Sequence, residues 1–256
     1  MKREVKPFML SGTILKWIAA ITMVIDHLGA ALIQRILLYA AVTEKVEKTL
    51  RTIYPVCREI GRISFPIFCF FIVEGFFKTK SFYRYLLRLT VFALISEPFF
   101  DLAFFSFQTK AWNFQKLFLN AKAGQNVLFT LLLGLIAICL IDRVLKLDFG
   151  TRVLKTICGL IIAAAFMVLA RCLKTDYDMW GVLAIVSMYL FYHNRFLCIL
   201  GGYISLLLID PGSIFGFLPL MLYNGEKSHM KKYFLYIFYP AHLAVLFLLG
   251  MLICNC

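Results

Sequence analysis

The hydrophobic residues of this chain form continuous blocks separated by short polar or basic segments. Most blocks are close to the roughly 20 residues that a helix needs to cross a bilayer, and they lack the period of two typical of a membrane β-barrel strand. They predict helices over approximately Ile14–Leu38, Cys57–Phe77, Phe82–Phe105, Asn126–Ile141, Val153–Cys172, Trp180–Tyr192, Phe196–Ile209, Ile214–Tyr223 and Tyr233–Ile253. The pattern therefore predicts an all-α integral membrane protein, a polytopic bundle of eight or nine transmembrane helices. The eighth block is too short to span alone.

Composition strengthens this interpretation. The chain is 62% hydrophobic and only 16% charged, and its mean hydropathy is +0.84. These values exclude a soluble globular enzyme and a disordered chain. No linker or internal repeat divides the sequence, so we expect a single membrane domain over residues 1–256.

The net charge of +13 is typical of a polytopic protein whose basic loops face anionic lipid. We therefore expect the bilayer, and not nucleic acid, to be its partner. More Lys and Arg fall on the cytoplasmic side when the N-terminus is placed there, which predicts a cytoplasmic N-terminus. This count includes Lys2, Arg3 and Lys6 on the inner side and Lys110, Lys116 and Lys122 on the outer side.

Two titratable side chains, Asp26 and His27, lie in the middle of the first apolar block. A charge at this depth is unfavourable by about 2.5–3.5 kcal/mol, so such residues are informative. Neighbouring residues point about 100° apart on a helix, and these two should contact different partners. A neutral imidazole is a base near pH 7, which makes His27 a candidate general base. A structural hydrogen bond inside the bundle is the alternative.

Further polar residues are expected between the bilayer centre and the outer surface. Glu97 and Asp101 are four residues apart and share a helix face. Arg62 could act on a substrate or could neutralise one of these carboxylates, and His242 could be structural. Together with Asn126, Thr130, Asp176 and Tyr177 they predict one buried polar site that opens outward. Glu74 lies in the inner half and is the exception.

Several of these residues lie in motifs that resemble TraX-type membrane proteins. The motifs cover Leu15–Ala19, Ile25–Gly29, Gly61–Phe68, Val73–Phe76, Tyr85–Arg88, Ile95–Asp101, Asn126–Thr130, Thr175–Tyr177 and Tyr239–Leu243. The resemblance extends over most of the chain and is weak over residues 105–125 and 144–173. It implies a bacterial, multi-pass protein of the cytoplasmic membrane that transfers acetyl groups from acetyl-CoA, within a broader group of transmembrane acetyltransferases.

This resemblance implies roles for the polar residues. His27 would be the base, with Asp26, Glu97 and Asp101 as the other catalytic candidates, of which Asp26 or Glu97 would orient it. Arg62, Asn126 and Thr130 would stabilise an oxyanion or hold the acceptor, with Asp176, Tyr177 and His242 in the same site. Arg84, Arg88 and Lys231 are candidates for binding the phosphates of acetyl-CoA. No metal is expected.

The acceptor stays open at this point. A protein N-terminus such as that of pilin, an amino sugar, a glycan hydroxyl and a lipid headgroup all fit an outward-facing site. Two other functions also remain: a proton-coupled transporter, which would likewise place acidic residues and histidine at the midplane, and a non-catalytic membrane assembly factor.

Overall fold

The computed structural model describes residues 9–105, 124–148 and 150–254. In these residues the helices are α1 (Gly12–Tyr39), α2 (Glu44–Gly61), α3 (Ser64–Lys78), α4 (Phe82–Phe104), α5 (Val127–Lys146), α6 (Arg152–Cys172), α7 (Asp178–Leu190), α8 (Arg195–Leu206), α9 (Ile214–Met221) and α10 (Phe234–Cys254). A short 3-10 turn, Pro211–Ser213, leads into α9. The six lysines and arginines named above for the N-terminus and the outer loop lie outside the described residues.

The predicted all-helical architecture is confirmed for the described residues, where β pairing is limited to two isolated bridges. Within them, five segments are long and apolar enough to cross a membrane: α1, the combined segment Glu44–Lys78, α5, α6 and α10. The helices α7, α8 and the 3-10 turn with α9 are apolar but shorter. The chain is thus a membrane protein by helix length and composition, while eight or nine crossings and a cytoplasmic N-terminus stay predictions.

The start of α2 differs from the sequence prediction. The sequence predicts a helix from Cys57, whereas the helix begins at Glu44. Its first turns mix charged and apolar residues with helical spacing, so they form no continuous apolar block. Glu44 and Glu47 in the first turn favour a helix start through the helix dipole, and Arg51 pairs with Glu47 at 2.8 Å one turn later.

Small residues bring α1 close to α2. A Cβ atom added at Gly29 would lie 2.9 Å from Cβ of Cys57, and one added at Gly61 would overlap the side chain of Asp26. Residues Leu28–Ile33 of α1 form a π-helical segment, a local widening that often accompanies functional sites. The segment begins immediately after His27, so the change in helical winding lies directly beside a candidate base.

The two ends of the bundle can be identified from backbone contacts. At the end that we call the N-terminal face, Leu10 N–H donates to Leu222 O at 2.7 Å and Gly12 N–H donates to Glu226 O at 3.1 Å. At the opposite end, the C-terminal face, Arg35 near the end of α1 contacts the carbonyl oxygen of Phe247 at 3.5 Å. Helices α1 and α10 therefore both run from the N-terminal face to the C-terminal face.

Candidate active site

His27 and His242 form a buried hydrogen-bonded pair, which we call the histidine pair. His27 Nδ1 lies 2.7 Å from His242 Nε2, and each residue is 9% exposed. Aromatic rings pack around them: Phe104 meets His27 edge-on at 5.3 Å, and Tyr239 lies within 6.1 Å of His27 and 5.6 Å of His242, measured between ring centroids. The structure thus joins two histidines that are 215 residues apart in sequence.

Asp26 contacts a different partner, as the helical geometry predicts for neighbouring residues. Its Oδ1 atom accepts a hydrogen bond of 2.6 Å from Arg58 Nη1. The ion pair between Asp26 and Arg58 connects α1 to α2, while His27 contacts His242. Asp26 is therefore placed beside α2, and the orienting contact of His27 comes from α10.

Arg62 pairs with neither Glu97 nor Asp101. Its Nη1 atom donates to Asp210 Oδ1 at 2.6 Å, and its Nε atom lies 3.4 Å from Glu59. Arg62 lies at the break between α2 and α3, and Asp210 precedes the turn into α9. We call Asp26, Arg58, Arg62 and Asp210 the charged rim.

Glu97 and Asn126 are buried together. The backbone N–H of Asn126 donates to Glu97 Oε2 at 3.0 Å, and its amide Nδ2 donates to the same oxygen at 2.5 Å. The Asn126 Oδ1 atom caps α5 by accepting from Leu128 N–H at 3.0 Å. Asn126 is thereby engaged in holding α5 against α4. Asp101, one turn beyond Glu97, is buried, and its Oδ1 has no hydrogen-bond partner among the described residues.

Residues 173–178 form a constrained loop next to the start of α5. Asp176 N–H donates to Gln125 O at 2.9 Å, and the Thr130 hydroxyl donates to the carbonyl of Asp176. Lys174, Tyr177 and Asp178 all have positive φ, at 54°, 62° and 47°. Non-glycine residues persist in this conformation only where their surroundings enforce it, commonly at functional sites.

Within that loop, the surrounding protein raises the pKa of the Asp176 carboxyl to about 6 by desolvation, although part of the residue is exposed and Arg58 acts in the opposite direction. The Tyr177 ring stacks on Phe65 with centroids 3.6 Å apart. Asp176 is thus an exposed residue whose backbone is bonded to both Gln125 and Thr130.

A cavity of 340 Å³ lies between α1, α3, α4, α5 and α10. Its charged lining residues are Lys16, Lys78, Arg88, Lys231 and Lys232, and Tyr239 and Met23 line it as well. Met23 is one helical turn before His27, and Tyr239 contacts both members of the histidine pair. Of the predicted phosphate-binding residues, Arg88 and Lys231 line this cavity and Arg84 does not.

Several residues of the site were missed by the sequence analysis. Lys78 was not among the predicted site residues, yet it lines the cavity and donates to Glu74 Oε1 at 2.7 Å. Glu74 also accepts from Tyr223 at 2.7 Å, which accounts for this acidic residue on the inner half. The buried hydroxyl of Tyr239 has no hydrogen-bond partner in the described part of the chain. A tyrosine three residues before His242, next to Pro240, was the available signal.

Comparisons with known proteins agree with the resemblance. The family model described as TraX protein matches residues 11–250. A protein of Dichelobacter nodosus named "Probable fimbrial assembly protein FimC, serogroup H1" is 29% identical over 220 residues, covering 75% of this chain and 82% of that protein. No solved structure matches the chain. Because the family model covers nearly all the described residues, the chain belongs to the TraX family.

Proposed function

We propose that this protein is a bacterial, membrane-embedded acetyltransferase. It transfers an acetyl group from cytoplasmic acetyl-CoA to an amine or hydroxyl group presented at the C-terminal face, with His27 as general base. The observation that carries the proposal is the cavity, which has five cationic side chains in its lining and reaches Tyr239, a direct neighbour of the histidine pair.

The cavity suits a long, polyanionic donor. Lys78, at the end of α3, and Lys231 and Lys232, just before α10, lie at the N-terminal face, where phosphate groups would bind by charge-assisted hydrogen bonds. Further in, the lining includes apolar residues such as Phe68, Leu131 and Met23, which suit the uncharged arm of the donor. A volume of 340 Å³ lies within the range of small-molecule sites.

Acetyl-CoA would supply the acetyl group as a thioester: the acceptor nitrogen or oxygen would bond to the acetyl carbon, the carbon–sulfur bond would break, and coenzyme A would leave as a thiol that takes up the acceptor's proton. The residues of the chain have two tasks at the end of the cavity: to remove a proton from the acceptor and to stabilise charge on the reacting carbonyl oxygen. His27 fits the first task because a buried neutral imidazole is a base. The Tyr239 hydroxyl fits the second, since it is buried and unpartnered in the described residues, whereas Asn126, Thr130 and Arg62 already donate to protein oxygens.

On the acceptor side, we propose that Asp176 binds a cationic amine. Asp176 is an exposed residue in a loop whose backbone is bonded to Gln125 and Thr130. The name of the relative refers to fimbrial assembly, so a fimbrial subunit with a free N-terminus is one acceptor to test. An amino sugar, a glycan hydroxyl and a lipid headgroup are the others.

The experiment is acetyl transfer by the purified protein in liposomes. Labelled acetyl-CoA is added on one side, and candidate peptide and amino-sugar acceptors are analysed by mass spectrometry for one added acetyl group. We expect transfer by the wild type, together with a rise in melting temperature on adding acetyl-CoA, because a ligand that binds only the folded state stabilises it. Tyr239→Phe should bind the donor and lose transfer, while Tyr203→Phe, on α8 and outside the cavity lining, serves as the matched control.

If the protein transfers no acetyl group and its melting temperature does not rise at millimolar acetyl-CoA, the proposal is wrong. Proton-coupled flux of solutes in the same liposomes would then favour the transporter. Absence of both activities, with an intact fimbrial phenotype in His27→Ala, would favour a non-catalytic assembly factor.

A further inference from the structure

The two rings of the histidine pair belong to a chain of hydrogen bonds that ends on a backbone carbonyl. His27 Nδ1 lies 2.7 Å from His242 Nε2, and His242 Nδ1 lies 2.9 Å from the carbonyl oxygen of Phe238. The ring planes are 7° apart. Since the nitrogen–nitrogen distance is shorter than the separation of stacked aromatic rings, the two imidazoles meet edge to edge, as a hydrogen bond requires.

The carbonyl at the end of the chain determines where each hydrogen lies. A carbonyl oxygen only accepts, so His242 Nδ1 must carry the hydrogen. A neutral imidazole has one N–H group, which leaves Nε2 of His242 as an acceptor. The hydrogen between the two rings therefore belongs to His27 Nδ1, and the lone pair of His27 lies on its Nε2 atom.

We propose that His242 is a positioning residue that holds His27 in the Nδ1–H tautomer and directs the Nε2 lone pair toward the reacting groups. The catalytic consequence rests on the proposed function, whereas the tautomer assignment rests on the hydrogen-bond chain alone. Asp26 and Glu97, the residues expected from sequence to orient His27, are engaged with Arg58 and Asn126.

His242 can perform this task inside a membrane without adding a charge. When His27 Nε2 takes a proton, the Nδ1–H···Nε2 bond becomes charge-assisted and strengthens, which keeps the ring in place during the step. A carboxylate in the same position would add a buried negative charge to the resting state, which is unfavourable in a bilayer. A neutral acceptor avoids this penalty and still selects the tautomer.

Packing around α10 fixes the orientation of His242 itself. Its ring lies 5.3 Å from that of Phe238, at 15° between planes, and 5.6 Å from that of Tyr239. Phe238 thus contributes both the carbonyl that sets the tautomer and an aromatic face against the ring. The side chain of His242 has little room to rotate, so its Nε2 stays directed at α1.

The direct test is nitrogen NMR of isotopically labelled histidine in reconstituted protein, with resonances assigned by His27→Gln and His242→Gln. We expect His27 to show Nδ1–H in the wild type, and His242→Leu to release a mixture of tautomers. Wild-type His27 with its hydrogen on Nε2, or an unchanged tautomer in His242→Leu, would overturn the assignment. This readout does not depend on acetyl transfer, so it separates this inference from the proposed function.

Kinetics tests the catalytic consequence. His242→Leu should lower kcat by about tenfold or more, as expected for loss of one orienting hydrogen bond, with the KM for acetyl-CoA unchanged. His242→Gln keeps an acceptor oxygen for His27 Nδ1–H and should recover most of the loss. Equal losses in the Leu and Gln variants, with melting temperatures like that of the wild type, would refute the positioning role.

Discussion

The histidine pair and the charged rim begin at adjacent positions of α1, yet they satisfy their polar groups in different ways. In the charged rim each cation contacts a carboxylate directly, at 2.6 Å for Arg58–Asp26 and 2.6 Å for Arg62–Asp210. In the histidine pair two imidazole rings share one hydrogen bond, which leaves Nε2 of His27 outside that bond. The rim joins α2 and the turn before α9 to the bundle, and in the tautomer proposed above the pair keeps the Nε2 lone pair of His27 for chemistry.

The difference shows why depth alone does not identify a catalytic group. Asp26 and His27 have nearly the same depth, but the angle of about 100° between neighbouring residues directs them to different sides of α1. A carboxylate that already forms an ion pair with an arginine is less able to take part in a reaction. His27, whose polar partner among the described residues is a second histidine, stays able to react.

The largest expected effect is the difference in acetyl transfer between variants of His27 and variants of Asp26. His27→Ala and His27→Gln should lose acetyl transfer by about a hundredfold or more, since a general base contributes roughly 10²–10⁴-fold, and should still show the melting shift with acetyl-CoA. Asp26→Asn should mainly lower the melting temperature, with a smaller loss of transfer per folded molecule. Substantial transfer by His27→Ala would instead point to His242 as the base.

The next effect tests whether the rim is structural. Arg62→Met leaves the buried carboxylate of Asp210 without its cation and should destabilise the protein by about 2–3 kcal/mol, because an unpaired buried charge is strongly unfavourable. The double variant Arg62→Met/Asp210→Leu removes both charges and should regain most of the stability. Thermal unfolding in detergent measures the stability of both variants. A double variant no more stable than the single variant would contradict a structural role for the charged rim.

A third prediction concerns the cationic lining of the cavity. Lys231→Ala/Lys232→Ala should weaken acetyl-CoA binding by about tenfold, as expected when charge-assisted hydrogen bonds to phosphate are lost. Arg84→Ala is the matched control, because Arg84 lies on the neighbouring α4 without lining the cavity. Titration of the melting shift with acetyl-CoA measures the difference, and equal weakening in both variants would place the phosphates elsewhere.

The smallest effect is a pH dependence on the acceptor side. The pKa of Asp176 is raised to about 6, so its carboxyl is mostly ionised at pH 7.5 and becomes protonated as the pH falls through about 6. The KM for a cationic amine should therefore rise by a few-fold on acidification, whereas the KM for a hydroxyl acceptor should not. Asp176→Asn should remove this difference between acceptors, and a persisting difference would exclude Asp176 as the amine-binding group.

Much of the fold could be predicted from hydrophobic pattern alone, because a helix in lipid must present an apolar surface along its whole length. The predicted helix at Ile14–Leu38 corresponds to α1, and the one at Val153–Cys172 to α6, within a few residues. The start of α2 was wrong by thirteen residues (Cys57 against Glu44) since an amphipathic helix lacks a continuous apolar block.

The sequence by itself indicated that polar residues such as His27, Glu97 and Asn126 are buried. It also indicated that Asp26 and His27 have separate partners, because helical periodicity fixes the angle between neighbours. Only the tertiary structure decided which residues those partners are. His27 pairs with His242, which lies 215 positions later in the sequence, and Arg62 pairs with Asp210 instead of Glu97 or Asp101. These pairings depend on how α1, α10 and the turn before α9 pack against one another. Side-chain pairing between helices distant in sequence has no local signal in the sequence.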